Sequence, residues 1–176
     1  MYKFSIKPIR KEDLSIIYDI QVRSYDSRYV EEKDNFLEII SFYEEGCLCV
    51  ETNGIIIAYV LSFPWIRGIP APLTDKKFFM IENFKDLKDT NDNDIHKIFD
   101  CYYIHDLCVS PEYRSMKVGK SLFESVISLA RQKNFKIISL TSVQGSRPFL
   151  EQFGFYTVKE VDYGGSTAYL METVLQ

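Results

Sequence analysis

The order of hydrophobic and polar residues predicts a chain of mixed strands and helices. Period-two alternation marks strands, whereas apolar residues at three- and four-residue spacing mark helices. Asn53-Gly54 separates two apolar runs and favours a hairpin turn, because both residues tolerate positive φ. The predicted elements, in chain order, are a strand at 4–8, helices at 12–24 and 33–45, strands at 47–52, 55–63 and 101–109, a helix at 118–131, a strand at 135–141, a helix at 147–153, and strands at 155–161 and 168–173. No repeat or linker interrupts this order, so we expect one domain over residues 1–176.

The stretch 101–131 is the centre of the prediction. An apolar strand ends at Pro111, which has no N–H for a ladder hydrogen bond, and an amphipathic helix follows. The short loop between them carries Arg114 and Lys117, and Gly119 lies near the start of the helix. The first turn of a helix presents unpaired N–H groups and a partial positive charge. A strand, a basic loop and a helix N-terminus in this order suit a phosphate.

Residues 64–100 are predicted to be irregular. Pro64, Pro70 and Pro72 break regular structure early, and the polar run 85–94 is typical of a solvated loop. Apolar residues between 78 and 84 should pack somewhere. A connection of this length is either a functional lid or an insertion that only covers the sheet, and both interpretations stay open.

Composition and charge narrow the possible functions. The 176 residues are 46% hydrophobic and 26% charged, with a net charge of −4, which disfavours nucleic acid and anionic membranes as partners. No apolar run is long enough to span a membrane, and the N-terminus lacks a signal-peptide core. The four cysteines have no zinc-ligand spacing. We therefore expect reduced thiols, no metal and a cytoplasmic protein.

The loop after the central strand resembles the pyrophosphate loop of the GNAT N-acetyltransferase superfamily. That loop has Arg or Gln, two residues, Gly, one residue, and Gly or Ala. The matching positions are Arg114, Lys117 and Gly119, of which Lys117 departs from the pattern. Residues 142–155 are similar to the family's later motif, a short helix that ends in Gly-Phe. The resemblance covers nearly the whole chain and implies an α/β (α+β mixed) fold with a single mixed, mostly antiparallel sheet flanked by helices and a central strand splayed for acetyl-CoA.

The resemblance also assigns residues to the cofactor, acetyl-CoA. Free backbone groups of Leu107, Cys108 and Val109 would bind the pantetheine and the acetyl carbonyl. The loop and helix start would hold the pyrophosphate, through Arg114, Ser115, Met116, Lys117, Val118, Gly119 and Lys120. Ser146 and Phe149 of the late helix would complete the cofactor site. The alternative for Arg114 and Lys117 is a solvated basic turn.

His105 is the candidate general base, because an imidazole titrates near neutrality and can take a proton from an ammonium. Its neighbourhood is similar to the strand of the serotonin N-acetyltransferase branch that carries two histidines, at positions matching Tyr103 and His105. The strand period places Tyr103 and His105 on one face and Asp106 on the other, so Tyr103 is the second catalytic candidate beside His105. A structural role for His105 stays open. Asp106 is expected to satisfy backbone N–H groups or, alternatively, to orient a neighbouring group.

The acceptor side is predicted from fewer observations. Trp65 could wall an amine pocket by stacking or a cation–π contact, or it could anchor a hydrophobic core. Tyr25 and Tyr29 follow the first helix and are acceptor-side candidates because they lie in a loop. In many members of the family, a tyrosine that acts as the general acid stands where this chain has Leu150. The general acid of this chain therefore stays unassigned.

These observations predict an acetyl-CoA-dependent N-acetyltransferase that acts on a small-molecule primary amine by direct attack in a ternary complex. Acetylation of a protein N-terminus or lysine is the second interpretation, and a non-catalytic CoA-binding module is the third. We expect a monomer or homodimer.

Overall fold

The computed structural model describes residues 4–73 and 92–176. The strands are β1 Ser5–Pro8, β2 Cys47–Thr52, β3 Ile55–Trp65, β4 Cys101–Val109, β5 Ile137–Ser142, β6 Tyr156–Tyr163 and β7 Ser166–Val174. The α-helices of the described residues are α1 Leu14–Ser24, α2 Lys33–Phe42, α3 Asp92–Ile98, α4 Val118–Gln132 and α5 Arg147–Glu151. Short 3-10 helices cover Lys11–Asp13, Ser27–Tyr29, Glu44–Gly46 and Pro111–Met116. Within those two ranges, no helix is both long and apolar enough to cross a membrane.

Across the described residues, the strands form one seven-stranded sheet in the order β1-β2-β3-β4-β5-β7-β6. The pairs β1–β2, β2–β3, β5–β7 and β6–β7 are antiparallel, whereas β4 and β5 run parallel. Asn53 and Gly54 both have positive φ, 49° and 78°, as the predicted hairpin turn between β2 and β3 requires. The predicted mixed, mostly antiparallel sheet flanked by helices is confirmed.

The described residues belong to two compact units. Of the described residues, the first comprises 4–62 and 106–126, and the second comprises 63–73, 92–105 and 127–176. In the first unit, Ile17 and Ile20 of α1 and Phe36 of α2 are buried at the spacing that the sequence predicted. The ring of Phe36 contacts Tyr59 of β3 edge-on, with centroids 5.8 Å apart. This contact joins α2 to the sheet of that unit.

The second unit contains the parallel β4–β5 pairing. Tyr102, Tyr103 and Ile104 pair with residues 138–140, and β4 itself runs on to Val109. The ring of Tyr102 contacts Phe135, with centroids 5.6 Å apart. Helix α3 contacts the residues just before β5, because the ring of His96 lies 4.5 Å from that of Phe135.

Most element ends differ from the prediction by a few residues, and two of the differences have a clear physical or sequence reason. Strand β3 continues through Pro64 to Trp65. Because β2 starts at Cys47, which pairs with Leu61, the last residues of β3 extend past the β2 pairing, and a proline there costs no ladder hydrogen bond on that side. The polar run 85–94 was predicted to be a loop, but α3 begins at Asp92. The rest of that run, and the apolar residues 78–84, lie outside the described residues.

Ser146 precedes α5, but its side chain forms no capping hydrogen bond with the helix. Its hydroxyl lies 2.8 Å from that of Ser142 at the end of β5 instead. The short helix α5 begins with Pro148 in its first turn, where the missing N–H has no intrahelical partner to lose.

Candidate active site

The loop that joins β4 to α4 lies in the first unit. The 3-10 helix Pro111–Met116 leads to Lys117, which has φ 60° and ψ 15°, the left-handed region that glycine prefers. Helix α4 then begins at Val118, whose side chain is buried. The side chains of Arg114, Lys117 and Lys120 are exposed. A basic surface therefore borders the N-terminus of an amphipathic helix of 15 residues.

Helix α1 holds the start of this loop through an arginine that the sequence analysis missed. Arg23 Nη1 lies 2.8 Å from Glu112 Oε1, and Arg23 Nη2 lies 3.3 Å from Ser110 Oγ. Ser110 Oγ also donates to Glu112 Oε2 over 2.5 Å. The hydrogen bond from Ser110 is the main cause that lowers the pKa of Glu112, and a hydrogen bond from the backbone N–H of Glu112 itself and the charge of Arg23 add to it. Glu112 thus stays ionised at neutral pH and keeps the loop attached to α1.

The end of β4, also in the first unit, alternates in burial. Leu107 and Val109 are half-buried, whereas Cys108 is buried. The Cys108 thiol points towards the Ile20 carbonyl of α1, 3.9 Å away, and burial raises its pKa to about 12. Cys108 is therefore no nucleophile near neutral pH, and it can serve a ligand only through its backbone.

Asp106 lies on the buried face of the same strand end and is 6% exposed. It accepts hydrogen bonds from three described side chains: Tyr25 Oη over 2.7 Å, Gln21 Nε2 over 3.3 Å, and the Tyr59 hydroxyl. The sequence analysis favoured backbone N–H groups as partners of Asp106 and did not foresee these three side chains. Burial, and then the Asp106 charge, raise the pKa of Tyr25 and of Tyr59 well above the usual value, so both stay phenols. Tyr29, the other tyrosine of the α1–α2 linker, is buried.

The second unit contains the predicted base in a cluster of aromatic side chains. Tyr103 and His105 both contact the ring of Phe63, with centroids 6.1 Å and 5.7 Å away. Trp65 contacts Phe63 at 5.9 Å and Tyr103 at 6.4 Å. His105 is half-buried, while Trp65 is 2% exposed and donates its indole N–H to the Ile69 carbonyl over 2.7 Å. The fold thus brings three predicted site residues together, and the period-two spacing of Phe63 and Trp65 could have indicated the fourth member.

One row of this unit's sheet carries further polar groups. Tyr103, Ser139 and Glu172 occupy directly paired positions on β4, β5 and β7. The carboxylate of Glu172 is 1% exposed, and Arg67 reaches its Oε2 with both Nε and Nη2, each 2.8 Å away. Neither Arg67 nor Glu172 was singled out from the sequence, because 105 positions separate them.

The late helix α5 carries the remaining predicted residues. Phe149 is 37% exposed and meets Phe153 edge-on at 5.1 Å, whereas Leu150 is buried. A tyrosine at position 150 would therefore have to displace packed neighbours. Arg147 lies over the ring of Tyr169, 4.4 Å from its centroid.

The predicted site residues are divided between the two units. The first unit holds the loop, the end of β4, Tyr25 and Tyr29. The second holds Tyr103, His105, Trp65, Ser146 and Phe149. In the described part of the chain, no group of three or more His, Cys, Asp or Glu residues is arranged to hold a metal ion.

The fold and the strand–loop–helix arrangement are those of an acyltransferase family. The family model of the acetyltransferase (GNAT) family matches residues 14–155. The chain belongs to this family.

Individual relatives are distant. A probable hydrolase, YhcX, of Bacillus subtilis is 26% identical over 142 residues, which are 77% of this chain but only 25% of that protein. A putative ribosomal-protein-bS18 alanine N-acetyltransferase of the same organism is 23% identical over 139 residues, 78% of this chain and 69% of the relative. The chain therefore spans a quarter of the length of the first relative and about two thirds of the second.

Solved structures share the fold across the whole chain. Ard1 from Thermoplasma volcanium superposes with a TM-score of 0.71 at 16% identity, covering 98% of each chain. The mosquito protein named arylalkylamine N-acetyltransferase like 5b superposes with a TM-score of 0.66 at 20% identity, covering 98% of this chain and 100% of its own.

Proposed function

We propose that the protein transfers an acetyl group from acetyl-CoA to a small-molecule primary amine by direct attack in a ternary complex. The observation that carries the proposal is the loop from Pro111 to Lys120. Its three exposed basic side chains border a helix N-terminus. Lys117, which stands where the family pattern has glycine, adopts the left-handed conformation that glycine prefers.

The cofactor half of the reaction is proposed for the first unit. The diphosphate of CoA would lie on Arg114, Ser115, Met116, Lys117, Val118, Gly119 and Lys120, where backbone N–H groups and three cations oppose its charge. The pantetheine would extend along Leu107, Cys108 and Val109. Since the side chain of Cys108 points into the unit, this contact is assigned to the backbone. Ser146, which precedes the late helix α5, and Phe149 within it are also proposed as cofactor-binding residues.

The acceptor half is proposed for the aromatic cluster of the second unit. The neutral imidazole of His105 accepts a proton as the amine nitrogen bonds to the thioester carbonyl carbon. The carbon–sulfur bond then breaks and CoA leaves as its thiol or thiolate. Trp65, Tyr25 and Tyr29 are proposed on the acceptor side. Tyr103 is assigned an orienting role, because its hydroxyl lies 2.7 Å from Thr141 Oγ1 and its ring shares Phe63 with His105.

A protein N-terminus is the second candidate acceptor. It is favoured by the relative that is described as a ribosomal-protein alanine N-acetyltransferase, at 23% identity. The small amine is favoured by the aromatic cluster of Phe63, Tyr103 and Trp65 beside the half-buried His105, which suits a compact apolar amine better than an extended peptide. The buried reduced thiols support a cytoplasmic location.

A turnover assay combined with a calorimetric measurement of CoA binding distinguishes these possibilities. The protein is incubated with acetyl-CoA and a panel of aliphatic amines, arylalkylamines and alanine-starting peptides, and free CoA thiol is measured. We expect release with small primary amines and little with peptides. Turnover confined to peptides would assign the second acceptor class. CoA binding without turnover of any panel member would favour the non-catalytic module, and absence of CoA binding would overturn the proposal altogether.

A further inference from the structure

Asp106 joins three elements of the first unit at one carboxylate. Gln21 belongs to α1, Tyr25 directly follows α1, and Tyr59 lies in β3. All three donate to Asp106, which immediately precedes the strand segment 107–109. A buried carboxylate with several donors is costly to rearrange, because each broken hydrogen bond leaves a buried polar group unsatisfied.

The same network holds the α1–α2 linker at both ends. At its start, Tyr25 Oη lies 2.7 Å from Asp106 Oδ1 and 3.3 Å from the Leu107 carbonyl oxygen. At its other end, the backbone N–H of Glu31 donates to Gln21 Oε1 over 2.8 Å, while the amide nitrogen of the same glutamine donates to Asp106. The linker from residue 25 to 31 is therefore fastened to β4 through one carboxylate and its immediate neighbour.

We propose that Asp106 is a positioning residue that couples the α1–α2 linker to strand segment 107–109, so that CoA binding on that segment and ordering of the linker stabilise each other. The inference rests on the proposed function only in taking CoA as the ligand of this segment. Tyr25 acts through its hydroxyl as the connecting group, and it remains a donor because its proton is not lost near neutral pH. Coupling of this kind is reciprocal. If CoA binding favours the ordered linker by a given factor, ordering of the linker raises the affinity for CoA by the same factor.

Hydrogen–deuterium exchange of a peptide spanning residues 25–32 tests the coupling, with and without saturating CoA. In the wild-type protein, CoA should slow exchange of this peptide by about 5-fold or more, the lower end of typical coupling between sites. Tyr25→Phe removes only the connecting hydroxyl, and should reduce the slowing to less than about 2-fold. By reciprocity, its Kd for CoA should rise by about the factor that is lost from the linker. Asp106→Asn should act in the same direction.

Tyr163→Phe is the matched control. It removes a buried phenol hydroxyl that donates to the Ala71 carbonyl over 2.6 Å in the other unit. It should lower stability to a similar extent while the CoA affinity and the linker's response stay at wild-type values. Variants are compared only after near-UV circular dichroism shows the native fold. If Asp106→Asn does not fold, Tyr25→Phe alone decides the test.

The outcomes separate this inference from the proposed function. Loss of the CoA response in Tyr25→Phe, together with weaker CoA binding, supports the coupling. CoA binding to the wild type that leaves linker exchange unchanged overturns the inference and leaves the proposed function standing. The inference is likewise overturned when Tyr25→Phe binds CoA and protects the linker as the wild type does. A wild-type protein that binds no CoA overturns both.

Discussion

The ion pair between Arg67 and Glu172 makes a quantitative prediction for Arg67→Met. This variant keeps most of the aliphatic stem of the side chain and removes the guanidinium. The carboxylate of Glu172 is 1% exposed, so it would lose its charged partner in a position where water cannot replace it. Breaking a fully buried pair costs about 3–5 kcal/mol. Since the Arg67 side chain is 48% exposed, solvent already screens part of the attraction, and we expect about 2 kcal/mol.

Trp65 makes the measurement convenient, because it is the sole tryptophan of the sequence and is nearly fully buried, two residues before Arg67. Urea unfolding followed by its fluorescence reports on the second unit, and far-UV circular dichroism reports on the whole chain. For a chain of this size, about 2 kcal/mol corresponds to a fall in Tm of about 4–8 °C. Wild type, Arg67→Met, Glu172→Gln and the double variant form a cycle that isolates the pair.

The cycle also decides whether the argument is right. Once Glu172→Gln has removed the buried charge, adding Arg67→Met should cost less than about 0.5 kcal/mol. An equal cost of Arg67→Met in both backgrounds would show that the arginine acts by packing rather than by pairing. A cost below about 0.5 kcal/mol in the wild-type background would refute the assigned burial of the charge.

Three further predictions address the proposed site and the core. His105→Gln should lower kcat/KM by about 10²-fold with CoA affinity unchanged, and it should flatten the rise of kcat/KM with pH that a catalytic base produces. A folded variant with the wild-type rate and pH profile would place the base elsewhere. Gly119→Glu should abolish CoA binding in calorimetry, since it adds bulk and a negative charge at the start of α4, and unchanged affinity would remove the diphosphate from this loop. The hydroxyl of Ser139 is buried without a partner among the described residues, whereas that of Ser62 donates to the Gly46 carbonyl over 2.8 Å. Ser139→Ala should therefore be neutral or stabilising in urea unfolding while Ser62→Ala costs about 1 kcal/mol, and the reverse order would contradict the hydrogen-bond assignment.

The fold was predictable because its determinants are local. The apolar spacing of α1 and the Asn53-Gly54 turn each act within a few residues, and the structure has both where the pattern predicts them. The end of β3 was mispredicted at Pro64, because the cost of a proline depends on which neighbouring strand reaches that position. This pairing is not visible in the local pattern.

The site was predictable only where it coincides with such local patterns. The basic loop is contiguous in sequence, and Tyr103 and His105 are linked by the strand period. The partners of Asp106 lie between 47 and 85 positions away, so no local spacing indicates that Gln21, Tyr25 and Tyr59 meet at one carboxylate. Side-chain pairing between distant elements is decided by packing, which a single sequence does not display.

The left-handed conformation of Lys117 has a consequence for protein engineering. A residue with a Cβ in this region pays about 1 kcal/mol that glycine would not, so Lys117→Gly should stabilise the loop. The same substitution deletes an exposed cation from the surface proposed for the diphosphate of CoA. A selection for heat resistance alone would thus favour glycine at position 117, and its survivors should bind CoA more weakly and with a shallower dependence on ionic strength. Thermal tolerance and cofactor affinity are opposed at this single backbone position.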